Sequence, residues 1–302
     1  MKRGKSGFPI NALLLLDKDA GHSSNTAVQR AKRILSARKA GHTGSLDPIA
    51  TGVLPLCLGE ATKLAAFLLD TDKRYYVRIR LGVTTTTADI EGQVVQTQPV
   101  PQLAPVLLET CLSHFRGPIQ QVPPMYSALK HQGQRLYDLA RKGEVVDRPP
   151  RAIVIHELNL LEFGRDFVDL DVHCSKGTYI RSLAVDIGER LGCGGHVEIL
   201  RRTAVGRFKV EDAVTLAALE NSPPETRSTL LMPMDVMVDH FPSIFLNQEA
   251  EAAFNQGQTV KVASSEYEGL VRVYDQEKRL IGLGAQALND QVKPKRVFCN
   301  HA

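Results

Sequence analysis

The sequence predicts an α/β fold with a smaller β-rich module at its C-terminal end. Three observations carry this. Segments of strand periodicity, Tyr75–Leu81 and Phe167–Cys174, alternate along the chain with helical apolar stripes such as Ala27, Val28, Ala31, Ile34 and Leu35. Beyond a boundary placed near Asp239, the chain holds only short strand-like runs between turns. The 302 residues, 43% of them hydrophobic, suffice for a sizeable core in one or two domains.

Asn11–Leu16 is a short apolar run, read as a buried strand. A turn, DKDAGHSSN, follows, and Ser23 or Ser24 can cap the first helix. Lys39–Lys63 then holds one acid, Asp47, in a run of small residues (Gly41, Thr43, Gly44, Ser45, Gly52), with His42 ahead of it and Pro48 behind. Glycines let a backbone approach a ligand closely. The following proline pushes Asp47 towards extended or turn geometry. Such a loop can present one carboxylate without bulky neighbours. Composition alone favours a surface turn whose Asp accepts backbone hydrogen bonds.

Leu64–Leu69 reads as helix. In the next strand Tyr75, Val77, Ile79 and Leu81 share a face, and Tyr76, Arg78 and Arg80 the other. By pattern alone Tyr75 is a core ring with a satisfied hydroxyl. Leu103, Val106, Leu107, Thr110, Cys111 and His114 mark an amphipathic helix closed by Gly117–Pro118, with His114 packed at its end. Residues 120–150 are basic, interleaved with Tyr126 and Tyr137 and bounded by proline pairs. On charge alone they describe an exposed helix.

Arg151–Phe163 reads as a strand, and Phe167–Cys174 alternates Val168, Leu170 and Val172 against Asp169, Asp171 and His173. Thr178 is the expected cap of a helix with stripe Ile180, Leu183, Ala184, Ile187 and Leu191, ended by Gly192. Arg181 sits in the first turn, just off the stripe, where a cation opposes the helix dipole. It calls for a compensating partner, or else is solvated. Leu200 is core by burial statistics. After the loop-rich Asn221–Phe241, Asn247 can cap a short helix ending at Gly257. Strands follow around Val260, at Gly269–Tyr274 and at Arg279–Leu283. Gly282–Ala287 fits GxGxxA, but too little chain follows to build a βαβ unit.

The net charge of +4 and pI near 8.8 are compatible with nucleic acid without requiring it. No run approaches the roughly 18 to 20 apolar residues of a membrane span. The early apolar run is broken too soon, by Asp17 and Lys18, for a secretory signal. Five widely spaced cysteines without a CxxC pair suggest neither disulfide framework nor zinc site, which fits a reducing cytoplasm. No P-loop and no metal cluster is visible, so no cofactor is expected.

The stretch GHTGSLDPIATGVLPLCLGEATK resembles the signature of the TruB family, the bacterial tRNA pseudouridine synthases acting on uridine 55 of the T-loop. The family pattern, close to GHxGxLDPxAxGxLPxxxGxATK, is matched throughout. The resemblance implies that Asp47 is the catalytic nucleophile. It implies that Tyr75, at the KxY position, contacts the target base. KGTYIRSL would supply Tyr179 and Arg181 to the active site, and LRRTAVGRF would place Leu200 under the base. The family's DKPxGxSS is matched at Lys18, Gly21 and Ser24, which would put Lys18 among the substrate-binding residues, but Asp19 replaces the proline, which loosens the turn. The resemblance further implies a catalytic domain over 1–240 with a large mixed, mainly antiparallel sheet and a central cleft. Residues 120–150 would be a thumb-like insertion against the T-loop, and 241–302 a PUA-like RNA-binding domain. The partner implied is tRNA, through its T-arm. No membrane or protein partner is implied, and a monomer is expected.

Pseudouridine formation breaks the C1′–N1 bond, turns the uracil and rejoins it through C5. It needs a carboxylate that adds to the ring or stabilises C1′, and Asp47 can do either. An arginine paired with that carboxylate, here Arg181, would keep it ionised and aimed. Tyr75 suits the task of holding the base and managing the C5 proton. The base must be flipped out at a cost of about a few kcal/mol, and His42 can fill the gap. Two rivals stand beside this reading. A glycosidase needs a second flanking carboxyl, and only Asp89 and Glu91 follow the Tyr75 strand. A non-catalytic tRNA-binding or tRNA-folding protein would use the same basic surfaces.

Overall fold

The computed structural model describes residues 7–263, 267–288 and 290–298. Among them an eleven-stranded sheet forms the body of the molecule. Its main path runs Val214–Thr215, Ala12–Lys18, Thr51–Leu58, Gly195–Val205, Lys73–Leu81, Phe167–Cys174, Arg151–Phe163, Gly117–Gln121. Neighbours are antiparallel except at two places: Ala12–Lys18 beside Val214–Thr215, and Thr51–Leu58 beside Gly195–Val205. The sheet is therefore mixed and mainly antiparallel, as expected.

The strand Thr51–Leu58 has no counterpart in the periodicity reading, although it lies at the sheet's centre. It is buried along nearly its whole length. A strand covered on both faces reads as an unbroken apolar run rather than an alternation. Its contact with Gly195–Val205 is confined to Thr51 opposite Arg201 and Gly52 opposite Arg202. The sheet thus has a two-residue seam between its halves. Gly52 has a φ of +104°, and a Cβ there would lie 2.2 Å from the Arg202 carbonyl oxygen. Only glycine permits this approach.

The helices Ser24–Ile34, Pro105–Ser113 and Ile180–Arg190 cover one face, closing a core around Leu14, Leu54, Val77, Ile79, Leu170 and Leu183. Each such side chain contributes about 1.5–3 kcal/mol on burial. Two details differ from expectation. In Pro105–Ser113 the buried residues are Leu108, Cys111 and Leu112, while Val106 is 78% exposed and His114 lies exposed with its Nδ1 at 2.7 Å from the Thr110 carbonyl. Three successive apolar residues, Val106 to Leu108, leave the helix face undetermined by pattern. Thr178 does not cap its helix. Tyr179 occupies that position without a side-chain cap bond, and Thr178 Oγ1 donates to the Ser175 carbonyl. At the first helix Ser23 is the cap, accepting from the Thr26 N–H at 3.1 Å.

The opposite face divides in two. Behind Ala12–Lys18 and Thr51–Leu58, the side chains of Leu13, Leu15, Val53 and Cys57 form a second apolar cluster with Met234, Tyr274, Leu280, Leu283 and Phe298. Behind Lys73–Leu81 and Phe167–Cys174 the face is ionic. Arg78 grips Asp169 with two bonds of 2.7 Å, and Arg74 and Arg80 pair with Asp171 and Glu198.

The C-terminal segment forms a five-stranded sheet in the order Ser243–Phe245, Gly269–Tyr274, Leu280–Ala287, Gln291–Val297, Val260–Lys261. Asn247 caps the helix Gln248–Asn255, accepting from the Ala250 N–H at 2.9 Å. Ser243–Phe245 and Gln291–Val297 escape periodicity because one is three residues long and the other, QVKPKRV, has little apolar alternation. The glycines of Gly282–Ala287 serve packing. A Cβ on Gly282 would meet the Arg296 carbonyl at 2.4 Å and the Phe254 ring at 2.5 Å. Cys57, Cys111, Cys174 and Cys193 are buried free thiols, and Cys299 lies outside the described residues.

Candidate active site

Residues 43–50 form a loop leading from Ala40–His42 into Thr51–Leu58. It is held from several sides. Ser24 Oγ both accepts from the Leu46 N–H (2.7 Å) and donates to the Leu46 carbonyl (3.0 Å). The Gly21 N–H donates to the Pro48 carbonyl at 2.9 Å. Lys18 is wholly buried, and its ammonium donates to the carbonyls of Asp19 (2.8 Å), Ala50 (2.8 Å) and Pro48 (3.4 Å). Burial pulls its pKa down to about 8, against the pull of nearby acids that include Asp47. Lys18, expected to bind substrate, instead secures the turn and the loop through their backbone, because its ammonium is buried among these carbonyls. Asp19 contributes its carbonyl to this arrangement, which needs no proline.

Held in this way, Asp47 presents a side chain that is 38% exposed, with Oδ2 at 2.8 Å from Arg181 Nε. Arg181 itself is 5% exposed. Its Nη2 donates to the Tyr126 carbonyl at 2.7 Å and its Nη1 to the Thr87 carbonyl at 3.0 Å. Nη1 also lies 3.6 Å from Asp89 Oδ2. The partner that a first-turn arginine calls for is thus a pair of carboxylates. Burial raises the Asp47 pKa, Arg181 works against that rise, and Asp89 adds to it. Asp89 is sealed in, with Oδ1 taken by Thr87 Oγ1 at 2.5 Å and the Glu91 N–H at 3.2 Å. Asp89 therefore offers no open carboxyl to flank a glycosidic bond, whereas the exposed Glu91 is near enough to feel Asp47.

The first turn of the Arg181 helix is stitched to the root of the 120–150 segment. Gln121 accepts from the Tyr179 N–H (2.8 Å) and donates to the Tyr179 carbonyl (3.0 Å), while Ser182 Oγ donates to the Val122 carbonyl (2.9 Å). Gln121 supplies the bond that the uncapped helix terminus lacks. The half-buried Tyr179 is near enough to feel both Asp47 and Arg181, and burial raises its phenol pKa.

Tyr75 shares the helix-covered face with Val77, and its phenol pKa is raised by burial. Leu200 lies directly across from Val77 and is buried in the main core. His42 meets the loop at Gly44, whose N–H donates to Nδ1 at 3.3 Å. Burial, then Arg202, pushes the His42 pKa down, so the imidazole is neutral with its proton on Nε2.

Three contributors have no assigned place in the site from sequence. Asp89 enters there only as a possible second acid of a glycosidase. Ser24 enters as a cap and a motif match. Arg202 did leave a signal: in a strand it must share a face with Leu200, and an arginine on a buried face is uncommon.

Three family models match along the chain. Residues 32–180 match the N-terminal domain of the TruB family of pseudouridylate synthases. Residues 181–239 match a tRNA pseudouridylate synthase B C-terminal domain, and 242–298 match the C-terminal region of pseudouridine synthase II TruB. A tRNA pseudouridine synthase B of Nitrosococcus oceani is 49% identical over 300 residues, covering 98% of this chain and 97% of its own. The chain belongs to the TruB family. A tRNA pseudouridine synthase B of Coxiella burnetii is 48% identical over 294 residues, covering 96% of this chain and 95% of its own. The solved structure of a Cbf5-Nop10-Gar1 complex matches with a TM-score of 0.71 at 27% identity, over 99% of this chain and 91% of that one. An H/ACA RNP bound to a substrate RNA containing 2′-deoxyuridine matches at 0.71 and 26%, with the same coverage. TruB-family membership makes the chain a pseudouridine synthase, an isomerase. Asp47 and Tyr75 fall in the first matched segment and Arg181, Leu200 and Arg202 in the second, so the candidate site draws on both.

Proposed function

We propose that this TruB-family isomerase converts uridine 55 in the T-loop of tRNA to pseudouridine, with Asp47 as nucleophile. The observation that carries the proposal is the pair of a half-exposed Asp47 and a buried, fully engaged Arg181 at 2.8 Å. A guanidinium fixed by backbone carbonyls holds the carboxylate ionised and in one orientation. Asp47 then adds to the uracil ring or to C1′ as the C1′–N1 bond breaks. The base turns, C1′ joins C5, the bond to Asp47 breaks and frees the carboxylate, the C5 proton leaves and N1 regains a proton. Atoms and electrons balance without any external reagent. Tyr75 holds the loosened base over Leu200 and serves the C5 proton. The target is flipped from the T-loop at about a few kcal/mol, and the neutral His42 ring fills its place.

Residues 120–150 are proposed as the thumb that closes on the T-arm. Arg135 and Arg141 lie 5.7 and 5.6 Å from the Tyr137 ring centroid, a basic and aromatic surface of the kind that stacks on and neutralises RNA. Residues 1–240 form the catalytic part and 241–302 the PUA-like RNA-binding part, in a monomer working in the cytoplasm. The names of the full-length relatives support tRNA as the substrate.

The test is to incubate unmodified tRNA with the protein, map pseudouridine by position, and repeat with Asp47→Asn. The substitution keeps shape and removes the charge that makes the nucleophile. The expected result is pseudouridine at position 55 alone, and none with the variant although tRNA affinity is nearly unchanged. A variant isomerising at near the native rate would remove Asp47 from its role. Tight tRNA binding with no isomerisation by the native protein would favour a tRNA-folding function.

A further inference from the structure

Arg202 is 1% exposed, in the middle of the sheet. Its Nε donates to the Val53 carbonyl at 2.8 Å and its Nη2 to the Gly44 carbonyl at 3.1 Å. In register it stands directly across from Tyr75, on the same face, and the two side chains are close enough to act on each other's charge. None of the ion pairs among the described residues includes it. A buried guanidinium without a carboxylate is costly. A leucine would fill the same strand position without that cost. What arginine adds is a rigid fork of donors.

We infer that Arg202 is a positioning residue for the isomerisation: it holds the Tyr75 phenol oxygen from behind and ties it, through the Gly44 carbonyl, to the loop that carries Asp47. The inference rests on the assignment of Tyr75 to the base. Arginine has donors only, so in this arrangement the phenol oxygen is the acceptor. The phenolic hydrogen is then left for an acceptor on the open side, where the base lies. Three groups face Tyr75 electrostatically: Arg202 from the neighbouring strand, Cys174 from the strand on the other side, and Asp47 from the loop. Burial pushes the Cys174 thiol to about 12, so it is uncharged. The charges that govern the phenol are therefore Arg202 and Asp47. Burial raises the phenol's pKa and Arg202 opposes the rise.

The experiment is a double-mutant cycle of Tyr75→Phe with Arg202→Lys, repeated with Arg202→Met. The readouts are single-turnover rate at saturating tRNA, tRNA affinity and thermal melting. Arg202→Lys is expected to lower the rate about tenfold or more with affinity within about twofold, and to cause no further loss once Tyr75 is Phe. An equal loss in both backgrounds would make Arg202 a structural residue and overturn the inference. Tyr75→Phe at the native rate would instead overturn the assignment of Tyr75 on which it rests. If both Arg202 variants fail to fold, the native protein decides. An NOE between the Arg202 guanidinium protons and the Tyr75 ring is expected by NMR, and its absence would overturn the contact.

Discussion

A carboxylate that serves as nucleophile must stay ionised while protein surrounds most of it. At Asp47 burial pushes the pKa above the ordinary carboxylate range, and Arg181 is the main opposing influence. The active form is the anion, so the acid limb of the rate should lie above the ordinary Asp value of about 3.9. In Arg181→Met the opposing charge is gone, and the limb should move to higher pH. In Arg181→Lys the charge remains, so the limb should move less. Its rate should still be low, because lysine cannot span Asp47, Thr87 and Tyr126 together. Single-turnover rates across pH check this, and an unmoved limb in Arg181→Met would contradict it. Stability follows the same sign. The folded state binds this proton more tightly than the unfolded one, so the stabilisation is complete below the ordinary value and is lost as pH rises to the raised one. At neutral pH ionised Asp47 opposes folding, and Asp47→Asn should melt no lower than the native protein. At this scale the sequence displayed Asp47 and the need of Arg181 for a partner. It did not display the pairing of Asp89 with Arg181, which depends on a loop folding under the arginine.

At the scale of elements, periodicity was read best where one face of a strand is wet. Arg151–Phe163 and Phe167–Cys174 end where the pattern ends. It failed at Thr51–Leu58, which is covered on both faces, and at Pro105–Ser113, which has apolar residues around its circumference. The loop and strand that the motif encodes depend on one contact invisible to any pattern, the approach of Gly52 to Arg202. Gly52→Ala should therefore destabilise by roughly 2 kcal/mol or more, combining positive-φ strain with a backbone clash, and should slow isomerisation. Gly177→Ala is the contrast. Its φ is +82°, but nothing lies within 4 Å of the added Cβ, so only about 1 kcal/mol of backbone strain is expected. Thermal melting of the two variants would separate clash from strain, and equal losses would show that the close approach is unimportant.

For the molecule as a whole, the second apolar cluster runs across the expected boundary near Asp239. Tyr274, Leu280, Leu283 and Phe298 share it with Leu13, Leu15 and Val53. Hydrogen bonds add to it, from Tyr274 Oη to Asp235 (2.8 Å) and from the motif residue Lys63 to the Val297 carbonyl (2.8 Å). Removing 242–302 should therefore lower the melting temperature and slow turnover on bound tRNA, besides weakening tRNA binding. A truncated protein with native melting and native single-turnover rate would contradict this. The two-residue seam has a consequence of another kind. Asp47 comes from one half of the sheet, Tyr75 from the other, and their ladders are continuous only through Thr51–Gly52 and Arg201–Arg202. The core beneath joins both halves, but with two residue pairs in its ladder the seam's backbone bonds should open at a lower free energy than those on either side. Backbone amides at the seam should exchange with deuterium faster than those in the ladders on either side. A tRNA loop seated across both halves should slow the seam most, so that exchange there becomes a clock for substrate engagement before any bond is broken.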